Sequence, residues 1–253
     1  MDWASRRRFI IASVVVGTLL LLTSTLVFWK TYQPPSCSDG KQNQDETGID
    51  CGGSCPYLCV QENIPPTVLY ALPLTTADGR TDVIAMIENK NAQSAARGVS
   101  YTLSLYDAAG AVLKEIDGTV DLPPHGQVPV YLPKALTQGT PARAFLQIEN
   151  TKIAWYAMDS DPRIVPDLEP KPIVLPADKP RLDVSVTNSS LYPLSRVPLV
   201  AIIFDTASGN VVTASATIVD VAPQGRSTAS FMWNAPFSSS SVRVEVYPVV
   251  PLP

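Results

Sequence analysis

Val99-Ser100-Tyr101-Thr102-Leu103-Ser104-Leu105 alternates apolar and hydroxyl-bearing side chains without a break. Successive side chains of an extended chain point to opposite faces. Val99, Tyr101, Leu103 and Leu105 therefore share one face and Ser100, Thr102 and Ser104 the other, the mark of a half-buried strand. The alternation returns where Ala142, Ala144, Leu146 and Ile148 oppose Arg143, Gln147 and Glu149. It returns again where Leu182, Val184 and Val186 oppose Asp183, Ser185 and Thr187, and where Val242, Val244 and Val246 oppose Arg243 and Glu245. With 24 Pro and 13 Gly in 253 residues, the composition favours short strands joined by turns.

These strands fall in two similar stretches offset by about 99 residues. Ile87-Glu88-Asn89 is echoed by Val186-Thr187-Asn188, Leu105-Tyr106-Asp107 by Ile203-Phe204-Asp205, Gly110 by Gly209, and Pro124-His125-Gly126 by Pro223-Gln224-Gly225. A repeat of this size with about seven short strands predicts an all-β fold of two tandem immunoglobulin-like β-sandwiches, each with its own core. Asp107-Ala108-Ala109-Gly110 and Asp205-Thr206-Ala207-Ser208-Gly209 read as hairpin turns. Here the copies resemble the bacterial extracellular domains named for the pattern Phe-x-Leu-Tyr-Asp, with Leu103 and Ala201 standing where that pattern has Phe. The resemblance implies an Ig-like fold and no catalytic residues. Six prolines between Asp161 and Pro180 predict a semi-rigid extended spacer, part of which can pair as an edge strand.

Phe9 to Trp29 runs 21 residues without a charge, long enough for about 30 Å of helix, the thickness of a bilayer core. Arg6, Arg7 and Arg8 precede it, which predicts a cytoplasmic N-terminus and an extracytoplasmic remainder. A small-x-small cleavage site after the apolar run is missing, so a retained single-pass signal-anchor is the reading over a cleaved signal. Ser5-Arg6-Arg7-Arg8-Phe9-Ile10 also resembles the start of a twin-arginine export signal, against which the positive-inside flank is preferred.

All four cysteines, Cys37, Cys51, Cys55 and Cys59, lie within one polar stretch too short to build a core. In an exported segment this predicts two disulfides, with three connectivities open; the spacing lacks the paired C-x2-C knuckles of most structural zinc sites. The stretch resembles a small Cys-rich motif of exported bacterial and archaeal surface proteins, C-x-D-G-x-x-N-x-x-E-x-G-x-D-C-G-G-x-C, matching from Cys37 and Asp39 through Asn43, Glu46 and Asp50 to Cys55. That resemblance implies an extracellular location. Asp39, Asn43, Asp45, Glu46 and Asp50 also crowd oxygen ligands into one loop, which opens a calcium reading. The competing reading is that they cap turns around the disulfides, and it is preferred.

Residues 30–253 carry 16 basic and 22 acidic side chains, leaving no basic stripe for a phosphate backbone, so no nucleic-acid partner is expected. The single histidine, His125, falls in a predicted turn where the second copy has Gln224, and no nucleophile elbow, zinc-protease helix or phosphate loop is present. An enzyme is therefore not expected, nor a cofactor other than the calcium already weighed. Trp155, Tyr156, Trp233 and Tyr247 are weighed as an adhesive patch against a core role, and the core role is preferred. The prolines after Tyr247 are read as ending the last strand.

These readings divide the chain into a cytoplasmic tail (1–8), a transmembrane helix (9–29) in membrane lipid, a Cys-rich module (30–63), a first sandwich (64–160), a Pro-rich linker (161–180) and a second sandwich (181–253). The function expected is that of a membrane-anchored structural or interaction protein of the cell envelope, presenting Ig-like domains to a protein partner. The alternative is an extracytoplasmic sensing module for calcium or carbohydrate, coupled to a membrane partner.

Overall fold

In a computed structural model of the chain, the described residues are all but 1–2, 33–35, 44, 77–78 and 159. Helix α1, Trp3–Thr31, contains the expected apolar run. Its hydroxyls do not oppose burial in lipid: Thr18 and Thr25 donate to the carbonyls of Val14 and Leu21, four residues back. Residues 1–55 and 56–253 form two separate units. Beyond α1, the remaining elements are strands and short 3-10 turns, so the chain is all-β after an N-terminal helix.

The second unit begins with β1 (Tyr57–Leu58), followed by β2 (Thr67–Thr75), β3 (Thr81–Asn89), β4 (Ser94–Tyr106), β5 (Val112–Leu122), β6 (Gly126–Leu136), β7 (Arg143–Ile148) and β8 (Trp155–Ala157). One sheet runs β2-β3-β6; the other runs β1-β8-β4-β5, with β7 also on β4. The predicted face of β4 is the buried one: Val99, Tyr101, Leu103 and Leu105 pack with Val83, Ala85 and Ile87 of β3 and with Trp155. The second sandwich comprises β9 (Asp167–Pro170), β10 (Arg181–Thr187), β11 (Leu194–Asp205), β12 (Val211–Val221), β13 (Arg226–Met232) and β14 (Val242–Pro248). Its sheets are β9-β10-β13 and β12-β11-β14, which is the order β2-β3-β6 and β5-β4-β7 met again. Leu182, Val184, Val186, Leu199, Ala201 and Phe231 fill its core.

The same local devices stand at matching places. Asn89 is buried and donates through Nδ2 to the carbonyls of Ser94 and Pro123, both at 2.8 Å. Asn188 does the same toward Tyr192 (2.7 Å) and Ala222 (3.1 Å). Each thereby satisfies carbonyls that sheet pairing leaves over, and each accepts a backbone N–H two residues on. Both β4 and β11 bulge near their starts, at Gly98 and Arg196, where φ is +56° and +52°. The bulged N–H groups donate to Asp121 and Asp220 at 2.8 and 2.7 Å.

Each sandwich has its own core, and a third core joins them. Ile84 and Met86 on the outer face of β3 meet Val200, Ile202 and Phe204 on the outer face of β11, with Tyr70, Leu72, Tyr131 and Tyr247 around them. Strands β3 and β11 are therefore buried on both faces. Part of the Pro-rich segment pairs as an edge strand, the second of the two behaviours open to it: β9 lies on β10, with Pro170 opposite Val184 at the end of the ladder. The tail beyond Tyr247 does more than end a strand. Val249 donates to the carbonyl of Pro198, Arg163 to that of Val250 (3.1 Å), and Leu252 N–H donates to Asp121 at 2.9 Å, with the Leu252 side chain buried.

Candidate functional site

The Cys-rich loop brings the five oxygen-bearing candidates together around its backbone. The Asp50 carboxylate accepts the N–H groups of Asp39 and Gly40, both at 2.9 Å. Asp39 accepts Lys41 N–H and the Asn43 side-chain amide, and the Asn43 bond holds its carboxyl below the usual range. Asp45 accepts the Ser54 hydroxyl at 2.8 Å, and Glu46, nearly buried, accepts Asn43 N–H at 3.1 Å. Each carboxylate thus has a capping bond within the loop. The Gly52-Gly53 pair is required by the close turn: both have positive φ, and a Cβ on Gly53 would meet the Asp45 carbonyl oxygen at 2.2 Å.

The structure pairs Cys37 with Cys55, and Cys51 and Cys59 are oxidised as well. Glu46 Oε1 lies 3.2 Å from Cys55 Sγ. Ligand atoms of Cys37, Glu46 and Cys55 converge within 4.8 Å, yet the two sulfurs are bonded to each other and offer no thiolate to a metal.

The other candidates of the sequence disperse. His125 is exposed in its turn at φ +44°, its N–H donating to the Asn91 carbonyl, and Gln224 repeats this toward Ser190 at φ +49°. Trp155 is 1% exposed in the first core, and Tyr247 belongs to the joint between the sandwiches. Trp233 stands apart from them, packing on the second core and against Phe237 edge to face at 5.1 Å. These aromatics do not form one patch.

Sequence reasoning missed the joint between the sandwiches. Its signal was available: Val83-Ile84-Ala85-Met86-Ile87 and Leu199-Val200-Ala201-Ile202-Ile203-Phe204 are uninterrupted apolar runs, which in a strand mean burial on both faces. The matching positions in the other copies are polar. Thr102 and Ser104 stand where β11 has Val200 and Ile202, and Asp183 and Ser185 where β3 has Ile84 and Met86. The stack thus has two apolar faces turned inward and two polar faces turned out.

A cleft of about 570 Å³ opens where the β2–β3 hairpin and Tyr131 of the first sandwich face β12 and the loop after β13. Trp233, Asn234 and Phe237 line it from that loop, and Thr213 and Ser215 from β12.

No family model and no curated protein matches the chain. Among solved structures, red sea bream transglutaminase is similar over 74% of this chain and 29% of its own length, at 13% identity and a TM-score of 0.27. The chain thus corresponds to less than a third of that protein, and at this score the likeness assigns it neither a fold nor an activity.

Proposed function

We propose that this protein is a membrane-anchored, extracytoplasmic structural or interaction protein of the cell envelope, which acts by binding a protein partner rather than by catalysis. The carrying observation is the exposure of α1. The helix is long and apolar enough to cross a membrane, with a mean hydropathy of 2.4 over its most apolar window, and none of that window is buried within the protein. So many apolar side chains without protein cover need an apolar solvent, and a bilayer supplies it. The three arginines at its start favour a cytoplasmic position for that end, and the oxidised cysteines beyond it fit an oxidising compartment. Two sandwiches packed through a shared core make a rigid carrier for exposed loops, the usual sites of recognition.

The test is in-cell cross-linking with mass spectrometry on intact cells, paired with alkylation of thiols before reduction. A carbonate-resistant membrane protein without free thiols, cross-linked repeatedly to the same envelope protein through residues 56–253, is the expected result. Recovery in the soluble fraction, four alkylated cysteines, or a chain cross-linked to nothing would overturn it.

A further inference from the structure

We propose that the cleft beside Trp233 binds a neutral saccharide. The argument begins with which polar groups there are already occupied. The Asp82 carboxylate accepts the Tyr131 hydroxyl at 2.6 Å and Lys134 N–H at 2.8 Å, so both its oxygens are engaged in holding the wall of the cleft. Arg80 is the other charged lining residue among those described, and it too has a partner, whereas the hydroxyls of Thr213 and Ser215, the Asn234 amide and the Ser238 hydroxyl are neutral and have no side-chain partner among the described residues. The neighbouring loop differs. Ser239 donates to Asp205 and to the Ser241 carbonyl, and Thr206 to Ser241, so hydroxyls in this region do bond internally where they serve the fold.

The aromatic side of the cleft supplies the second observation. Trp233 lines it with Phe237 against its edge, and the indole N–H of Trp233 is buried with no acceptor among the described residues. With that N–H closed off from solvent, a ligand in the cleft meets the aromatic rings rather than the donor. A ring with an apolar face and hydroxyls at its rim matches this arrangement: the face lies on an aromatic wall while hydroxyls, which both donate and accept, meet hydroxyl and amide groups that do the same. Among the described residues the charged groups of the cleft are Asp82 and Arg80, one of each sign and both already engaged, so neither an anion nor a cation meets a lone countercharge there. A volume of about 570 Å³ has the scale of small-ligand sites, and its position between two packed domains is a common one. The site does not depend on the assembly reading above, since it uses no part of the membrane helix or of a protein contact.

The experiment uses the full chain in lipid nanodiscs, which carry no sugar headgroups, and titrates maltotriose, cellotriose and the N-acetylglucosamine trimer by calorimetry and ligand-observed saturation-transfer NMR. At least one binds, with a Kd on the order of 1 mM or tighter. Trp233→Ala weakens it about 10-fold, by loss of ring stacking. Because Trp233 also packs on the core, Asn234→Ala and Thr213→Val serve as variants that leave the core intact, each weakening binding roughly 3- to 10-fold. No binding of any of the three sugars at about 10 mM, or binding unchanged in Asn234→Ala and Thr213→Val, overturns the proposal.

Discussion

The Asp121 carboxylate holds the backbone N–H of Leu252 at 2.9 Å through one oxygen while its other oxygen holds the bulge at Gly98. A device that each sandwich uses for its own bulge is, in the first, also the anchor of the C-terminal tail coming from the second. The carboxylate of Asp220, the counterpart, holds only the Arg196 N–H among the described residues. Asp121→Ala should therefore cost more than Asp220→Ala. With hydrogen bonds to a charged group at about 1.5–3 kcal/mol each, the expected difference is one such bond. Urea midpoints check it, and carboxypeptidase should trim the tail faster in Asp121→Ala alone. Equal costs and equal trimming would show that the tail contact contributes nothing.

Ile202 and Ser104 occupy the same place in the two copies, one in the joint and one on the opposite face of its sheet from the core, where neighbouring side chains cover it. Ile202→Ser removes a fully buried side chain and leaves a hydroxyl in an apolar joint, so a loss of about 3–5 kcal/mol is expected. Ser104→Ala should change stability by under about 1 kcal/mol, since its bond to Glu115 is long at 3.3 Å. Chemical denaturation measures both. Proteolysis within residues 160–166 should accelerate only in Ile202→Ser, as the sandwiches part.

Tyr70 lies in the same joint with its hydroxyl buried and without a partner among the described residues, and burial pushes its pKa up to about 12. Tyr70→Phe removes an unsatisfied polar group at almost constant shape, and stability should rise by up to about 1 kcal/mol. The raised pKa has a pH consequence. Its contribution is fully present below the unfolded value of 10.0 and is lost as pH climbs from there toward 12, because the unfolded chain releases its proton first. The drop in melting temperature between pH 10 and 12 should be smaller in Tyr70→Phe. An unchanged drop would refute the assignment.

Asp205 behaves in the opposite sense. The Ser239 hydroxyl at 2.5 Å, followed by the N–H and hydroxyl of Ser208, brings its carboxyl down to about 2 from a model-compound value of 3.8. A depressed carboxyl stabilises the fold above the unfolded pKa and ceases to do so as pH falls through the folded one, so the loss should fall between about pH 4 and pH 2. Ser239→Ala should bring the Asp205 titration, followed by carboxyl chemical shifts, back toward 3.8. A titration still centred near 2 would assign the shift to Ser208 and the Ala207 N–H instead.

How much of this was legible beforehand depended on whether a residue's role was set by its near neighbours in the chain. The alternation of Val99 to Leu105 determines which face of β4 is buried, because backbone pleat converts spacing directly into sidedness. The apolar run of α1 is likewise a local property. So are the turn at His125, the oxidised state of four cysteines in one short stretch, and the offset that places Asn89 and Asn188 at equivalent corners. The calcium candidates could be seen to share a loop, but their hydrogen-bond partners could not. Asp50 meets Asp39 N–H, and Glu46 meets Asn43 N–H and Cys55, only because the chain folds back on itself there.

Tertiary structure alone decided the pairing of Cys37 with Cys55 among three possibilities, since loop closure differs little in cost between them. It decided that the outer face of β3 meets the outer face of β11, that Asp121 reaches Leu252 across 131 positions, and that Trp233, Asn234 and Thr213 share a cleft. Period and composition state how apolar each face of a strand is. Which of several apolar faces then come together depends on the relative placement of whole sheets, a long-range choice that no local stretch of sequence contains.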